Sequence, residues 1–157
     1  MTNPLNIGSR ATRFMTRYAG MAAVAALVAS GGAPAWAADM SISAQLSGRN
    51  EVPPNNSPAT GKLNAQFNPE TRTLKWSVTH EKLTGPVTAA HFHGPAGSDQ
   101  NAPPVVNFSS QLTSPIEGQA VLTPEQVKDL MAGKWYVNLH TAANPGGEIR
   151  GQAMPAK

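Results

Sequence analysis

The chain has 157 residues, 14 of them proline and 14 glycine, with no cysteine and with 12 basic against 9 acidic side chains. The absence of cysteine excludes disulfides and thiolate chemistry, so the fold rests on burial. A formal charge of +3 without any Lys/Arg cluster supplies no electrostatic footprint for nucleic acid or an anionic membrane surface.

Residues 1–37 read as a signal peptide: Arg10, Arg13 and Arg17 form a basic start, Ala19 to Ala29 an apolar stretch, and Ala35-Trp36-Ala37 a small-x-small cleavage site. The apolar stretch falls short of the roughly 20 residues a spanning helix needs, so no membrane span is expected once it is cleaved. The expected mature domain, residues 38–157, carries nine basic against nine acidic groups and belongs in the periplasm or the secreted fraction. About 120 residues suffice for one independent core.

From there the sequence alternates with period two between Gly/Pro/Asn punctuation, the pattern of a sandwich or barrel. Ser41 to Leu46 places Ile42, Ala44 and Leu46 on one face. A proline-rich loop from Glu51 to Pro58 follows, since proline cannot donate to a ladder. Lys62 to Phe67 ends at the turn Asn68-Pro69, and Thr73 to His80 returns, so the two read as a hairpin. Val87 to His93, Val105 to Phe108 and Pro115 to Leu122 are further strands, the first two separated by a Gly/Pro/Asn-rich loop.

One helix is signalled. Thr123 is an N-cap, Pro124 suits the first helical position, and Gln126 completes a capping-box spacing. Gly133 stops it, and Val127, Leu130 and Met131 are expected to face the sheet. Trp135 to Thr141 and Glu148 to Ala153 close the chain around an Asn-Pro-Gly-Gly turn.

Four histidines fall in this domain: His80, His91, His93 and His140. His91 and His93 are two apart on a strand, so both side chains leave one face with backbones roughly 6 to 7 Å apart, close enough to share a metal ion. His140 points away from Val137 and Leu139, and a neighbouring strand could bring it into the same shell. His80 shares a face with Trp76 and Val78, a setting in which a hydrogen-bonded structural histidine is the stronger expectation. Imidazole suits copper, zinc, iron or nickel. Glu148 and Arg150 alternate about Ile149 and are expected to project together, either as a supporting pair near His140 with Asn138 or as an exposed salt bridge. Met40 and Met154 are gap-filling residues or soft copper ligands.

Other chemistries lack parts. No Gly-x-Ser-x-Gly and no cysteine offer a nucleophile, the acids are scattered, and no glycine-rich phosphate loop joins a strand to a helix.

Four ordered motifs carry a resemblance: Leu46-x-Gly48-x-x-Glu51-Val52-Pro53-Pro54; Ala90-His91-Phe92-His93-Gly94-Pro95-Ala96; Tyr136 to Thr141; and Pro145 to Gln152. Together they resemble the CHRD domain, first described in chordin, over about Met40 to Ala153. The resemblance implies an all-β, immunoglobulin-like antiparallel β-sandwich of the single, exported bacterial type, with one short helix here, and no assigned catalytic activity. His91, His93, Asn138, His140 and Arg150 match its motifs. The pattern is also distantly similar to the copper/zinc superoxide dismutase sandwich. On that analogy His91, His93 and His140 would hold copper and Arg150 would steer an anion, although a zinc subsite and a disulfide are missing. The reading is therefore an exported binding domain, with copper as the favoured ion and zinc the alternative. A structural or adhesive domain with a protein partner stands as the second reading, and a copper enzyme as the third.

Overall fold

The computed structural model describes residues 38–108 and 111–156. The expected signal peptide, residues 1–37, lies outside them. Among the described residues there are eight strands and one α-helix: β1 (Met40–Ser47), β2 (Thr60–Asn68), β3 (Thr73–Glu81), β4 (Val87–His93), β5 (Pro104–Asn107), β6 (Ile116–Val121), α1 (Pro124–Met131), β7 (Trp135–Thr141) and β8 (Ile149–Pro155). All the pairings are antiparallel. They join into one sheet of order β5-β4-β7-β8-β1-β2-β3-β6, which curls until it is nearly closed, like a barrel or a sandwich.

Alternation sorts the side chains. Ile42, Ala44 and Leu46 of β1, Leu63, Ala65 and Phe67 of β2, and Leu74, Trp76 and Val78 of β3 face inward and are buried. Ala90 and Phe92 of β4 and Trp135, Val137 and Leu139 of β7 meet them from the other half of the sheet. Phe92 sits at the junction, edge-on to Trp76 at 5.3 Å and 5.2 Å from Phe108. Burying a side chain of that size contributes roughly 1.5–3 kcal/mol, and Phe92→Ala is expected to cost about 3–5 kcal/mol because a cavity would remain.

The helix forms as its caps dictate. The Thr123 hydroxyl accepts from the Gln126 amide at 3.2 Å, and the Gln126 side chain accepts from the Thr123 amide at 2.9 Å. Leu130 is buried, with Val127 and Met131 packed against the core. Gly133, at φ 67°, turns the chain out of the helix in the left-handed region that glycine tolerates.

Most strand ends move by one or two residues from the sequence reading, β5 for example running Pro104–Asn107, and two further departures stand out. A 3-10 turn, Gly48–Asn50, follows β1, and β8 begins at Ile149 rather than Glu148.

For function the important surface is the outer face of β4, β7 and β8. Register aligns His91 with Asn138 and Arg150, and His93 with Tyr136 and Gln152, while His140 pairs with Ala89. This face is polar, and the loops around Glu51, Ser98 and Pro145 fold over it.

Candidate functional site

His91, His93 and His140 come together on that face, each offering a ring nitrogen, and these nitrogens all lie within 4.8 Å of one another. β4 supplies two of the rings and β7 the third. His93 is 8 % exposed, and His91 and His140 are half-buried.

Hydrogen bonds orient the rings. His93 Nδ1 donates to the Ala102 carbonyl at 2.9 Å and His140 Nδ1 to the Pro145 carbonyl at 3.0 Å. Each bond places the single proton of the neutral imidazole on Nδ1 and leaves Nε2 as a lone-pair acceptor. His91 Nδ1 lies 3.3 Å from His140 Nε2 and donates to it. His93 Nε2 is buried without any protein partner. Burial holds His91 and His93 below the usual imidazole range, the neighbouring imidazoles add to this in both, and the Ala102 bond partly offsets it in His93. The cluster therefore favours neutral, metal-competent imidazole at neutral pH.

A column of stacked planes underlies His93. Tyr136 lies parallel to it at 3°, with centroids 4.8 Å apart, and the Arg150 guanidinium sits 3.4 Å over the Tyr136 ring. The Tyr136 hydroxyl donates to the same Ala102 carbonyl at 3.3 Å and accepts from the Ala102 amide at 3.1 Å. Arg150, 1 % exposed, donates to the carbonyls of Gly97 and Gln100 and to Asn101 Oδ1. It anchors the loop between β4 and β5 from beneath. Buried and committed in this way, Arg150 is not the exposed, anion-steering arginine of the dismutase analogy.

Next to this column is a residue that sequence reasoning left in a loop. Glu51 is 6 % exposed, and its Oε2 accepts from Asn138 Nδ2 at 3.2 Å. Burial pushes its carboxyl up to about 7, against the lowering pull of Arg150 and of the Asn138 bond. Gly147, at φ 136°, closes over the pair: a Cβ there would lie 2.5 Å from Asn138 Nδ2 and 2.8 Å from Glu51 Oε2. Glu51 falls within the Glu-Val-Pro-Pro motif, the one signal that could have marked it.

Glu148 and Arg150 do not project together. Glu148 precedes the ladder, so strand alternation does not govern it, and its carboxylate accepts from Ser57 at 2.7 Å, Thr84 at 2.7 Å and Thr141 at 2.6 Å. Its own burial would raise the carboxyl, but those bonds prevail and hold it down at about 2. His80 lies on β3 beside Gly61 and outside the three-histidine group. Burial alone lowers it. Met40 and Met154 are exposed, Met40 pairing with Phe67 and Met154 with Ser43.

A nearly closed antiparallel sheet with a polar outer face, roofed by motif-bearing loops, defines a small all-β domain class. The family model for the CHRD domain matches residues 42–153. The chain therefore belongs to the CHRD domain family. No curated protein and no solved structure matches it significantly.

Proposed function

We propose that this CHRD domain is an exported binding module that takes up a transition-metal ion, copper in preference to zinc, through His91, His93 and His140. One observation carries the reading: three ring nitrogens within 4.8 Å, of which His93 Nε2 is buried with no protein partner. An unmet buried polar atom costs about 1–3 kcal/mol. His80 Nε2, outside the group, is also buried without a partner, so it is the convergence of three rings around the open His93 nitrogen that supports the reading. Two rings are braced by backbone carbonyls through the opposite nitrogen, the bracing that metal-ligating histidines use. Copper is preferred because an all-nitrogen site generally binds it above zinc in the divalent series. The export segment at residues 1–37 is part of the same proposal.

The test is metal content and affinity of the purified protein beside His91→Ala and His93→Ala. Stoichiometric copper in the wild type and none in the variants is expected; equal, weak uptake by all three would overturn the reading. A structural or adhesive role is the second reading, favoured by the His91–His140 hydrogen bond of 3.3 Å. It predicts unchanged metal content with a large loss of stability in His140→Ala.

A further inference from the structure

The charge around the three imidazoles favours an ion of low charge. Resting on the metal-binding reading above, we propose that the site selects monovalent copper, Cu(I), over Cu(II) and Zn(II).

The argument begins with the donors. The group that converges is made of histidines only, with no carboxylate among its members, so the ligands contribute no negative charge. Metal-binding histidines gain basicity when a carboxylate accepts their outer N–H. Here the acceptors are the neutral carbonyls of Ala102 and Pro145. The two buried acids nearby lie outside the converging group, although Glu51 Oε1 has no partner. Glu148 is held by Ser57, Thr84 and Thr141, and Glu51 by Asn138, beneath Gly147.

The one buried cation next to the site makes the balance worse for a dication. Arg150 caps the far face of Tyr136, whose near face stacks on His93, so its positive charge lies one ring away from the site. A charge removed from water needs compensation close by, and the need grows with the charge of the ion. A dication in this setting would have neutral ligands, a neighbouring guanidinium and no ligating anion. Cu(II) prefers a tetragonal donor set and Zn(II) completes a three-histidine set only by adding a water, whereas three neutral nitrogens are what the protein brings together.

Two titrations of the purified protein at pH 7 test this. One is anaerobic, with copper held as Cu(I) by ascorbate and competed with a chromophoric Cu(I) chelator; the other uses Cu(II) competed with a calibrated Cu(II) chelator. The expected Kd for Cu(I) is at least 100-fold below that for Cu(II), which raises the bound couple by about 120 mV over the aqueous ion at 59 mV per tenfold. Silver(I) should displace Cu(I), and zinc should not. Cu(II) binding as tightly as Cu(I), or more tightly, overturns the inference while leaving the metal-binding reading intact; failure of every ion to bind overturns both. Arg150→Gln should narrow the ratio at least threefold and Arg150→Lys should preserve it. An unchanged ratio in Arg150→Gln overturns the electrostatic account.

Discussion

His93 and Tyr136 lie face to face with ring planes 3° apart and centroids separated by 4.8 Å, and both direct a hydrogen bond to the Ala102 carbonyl. The contact gives Tyr136 two tasks. It fixes the plane of an imidazole in the candidate site, and it ties that imidazole to the loop between β4 and β5.

Tyr136→Phe separates these tasks, because it keeps the stack and removes the hydroxyl. Loss of two hydrogen bonds to a backbone that is otherwise intact is expected to cost about 1–2 kcal/mol in urea unfolding. Tyr136→Ala also removes the platform under Arg150 and is expected to cost about 3–5 kcal/mol. Equal losses in the two variants would show that the ring contributes nothing beyond its hydroxyl.

Glu148 should govern acid stability. Its carboxyl is held at about 2, below the ordinary 4.5, so its contribution is complete above pH 4.5 and is lost as pH falls towards 2. Glu148→Gln is expected to destabilise the domain by about 2 kcal/mol at pH 7 and hardly at all near pH 2. Unfolding curves at the two pH values make the comparison.

Glu51 carries the opposite sign. Its carboxyl is raised to about 7, so the folded state holds a proton that the unfolded chain has released, and stability declines as pH rises from 4.5 through 7. Glu51→Gln should therefore stabilise the domain at pH 8, by about 1–2 kcal/mol after solvent screening is allowed for, and have little effect at pH 4. A melting temperature that responds equally at both pH values would contradict the assignment of a buried, reluctantly ionised carboxyl.

Gly147→Ala tests the lid over the Glu51–Asn138 pair. The new methyl would meet both side chains at a φ of 136°, a backbone region that residues with a Cβ rarely adopt. A loss of about 2–4 kcal/mol is expected in thermal or urea unfolding. Gly146→Ala, where a Cβ meets nothing within 4 Å, is the matched control.

Copper uptake should weaken with acid, since protons compete for the same nitrogens. His91 and His93 are both lowered, so these rings stay neutral below the pH of about 6.5 at which a free imidazole is half charged. Titrations at pH 7.5, 6.5 and 5.5 should show the protein retaining more of its affinity at pH 5.5 than an unfolded histidine peptide of the same spacing.

Much of this was readable from residues whose neighbours in sequence are also their neighbours in space. Alternation put Ile42, Ala44 and Leu46 on one buried face and Trp76 and Val78 on another as expected, and Thr123 with Gln126 announced the helix because capping is local. The convergence of His91, His93 and His140 followed from strand parity and the pairing of β4 with β7. Glu51 and Arg150 were harder, since their burial comes from loops that close over the sheet, and nothing in the adjacent sequence encodes that cover. Glu148 misled for a related reason: parity with Arg150 holds only inside a ladder, and the ladder starts one residue later.

Arg150 grips the loop between β4 and β5 by two backbone carbonyls and one asparagine oxygen. Two of its three attachments are therefore indifferent to side-chain identity. Substitutions at an outward position such as Ser98 can change what the surface offers a visitor while the carbonyl that orients His93 keeps its place. The domain can thus diversify its exterior without retuning the histidines beneath.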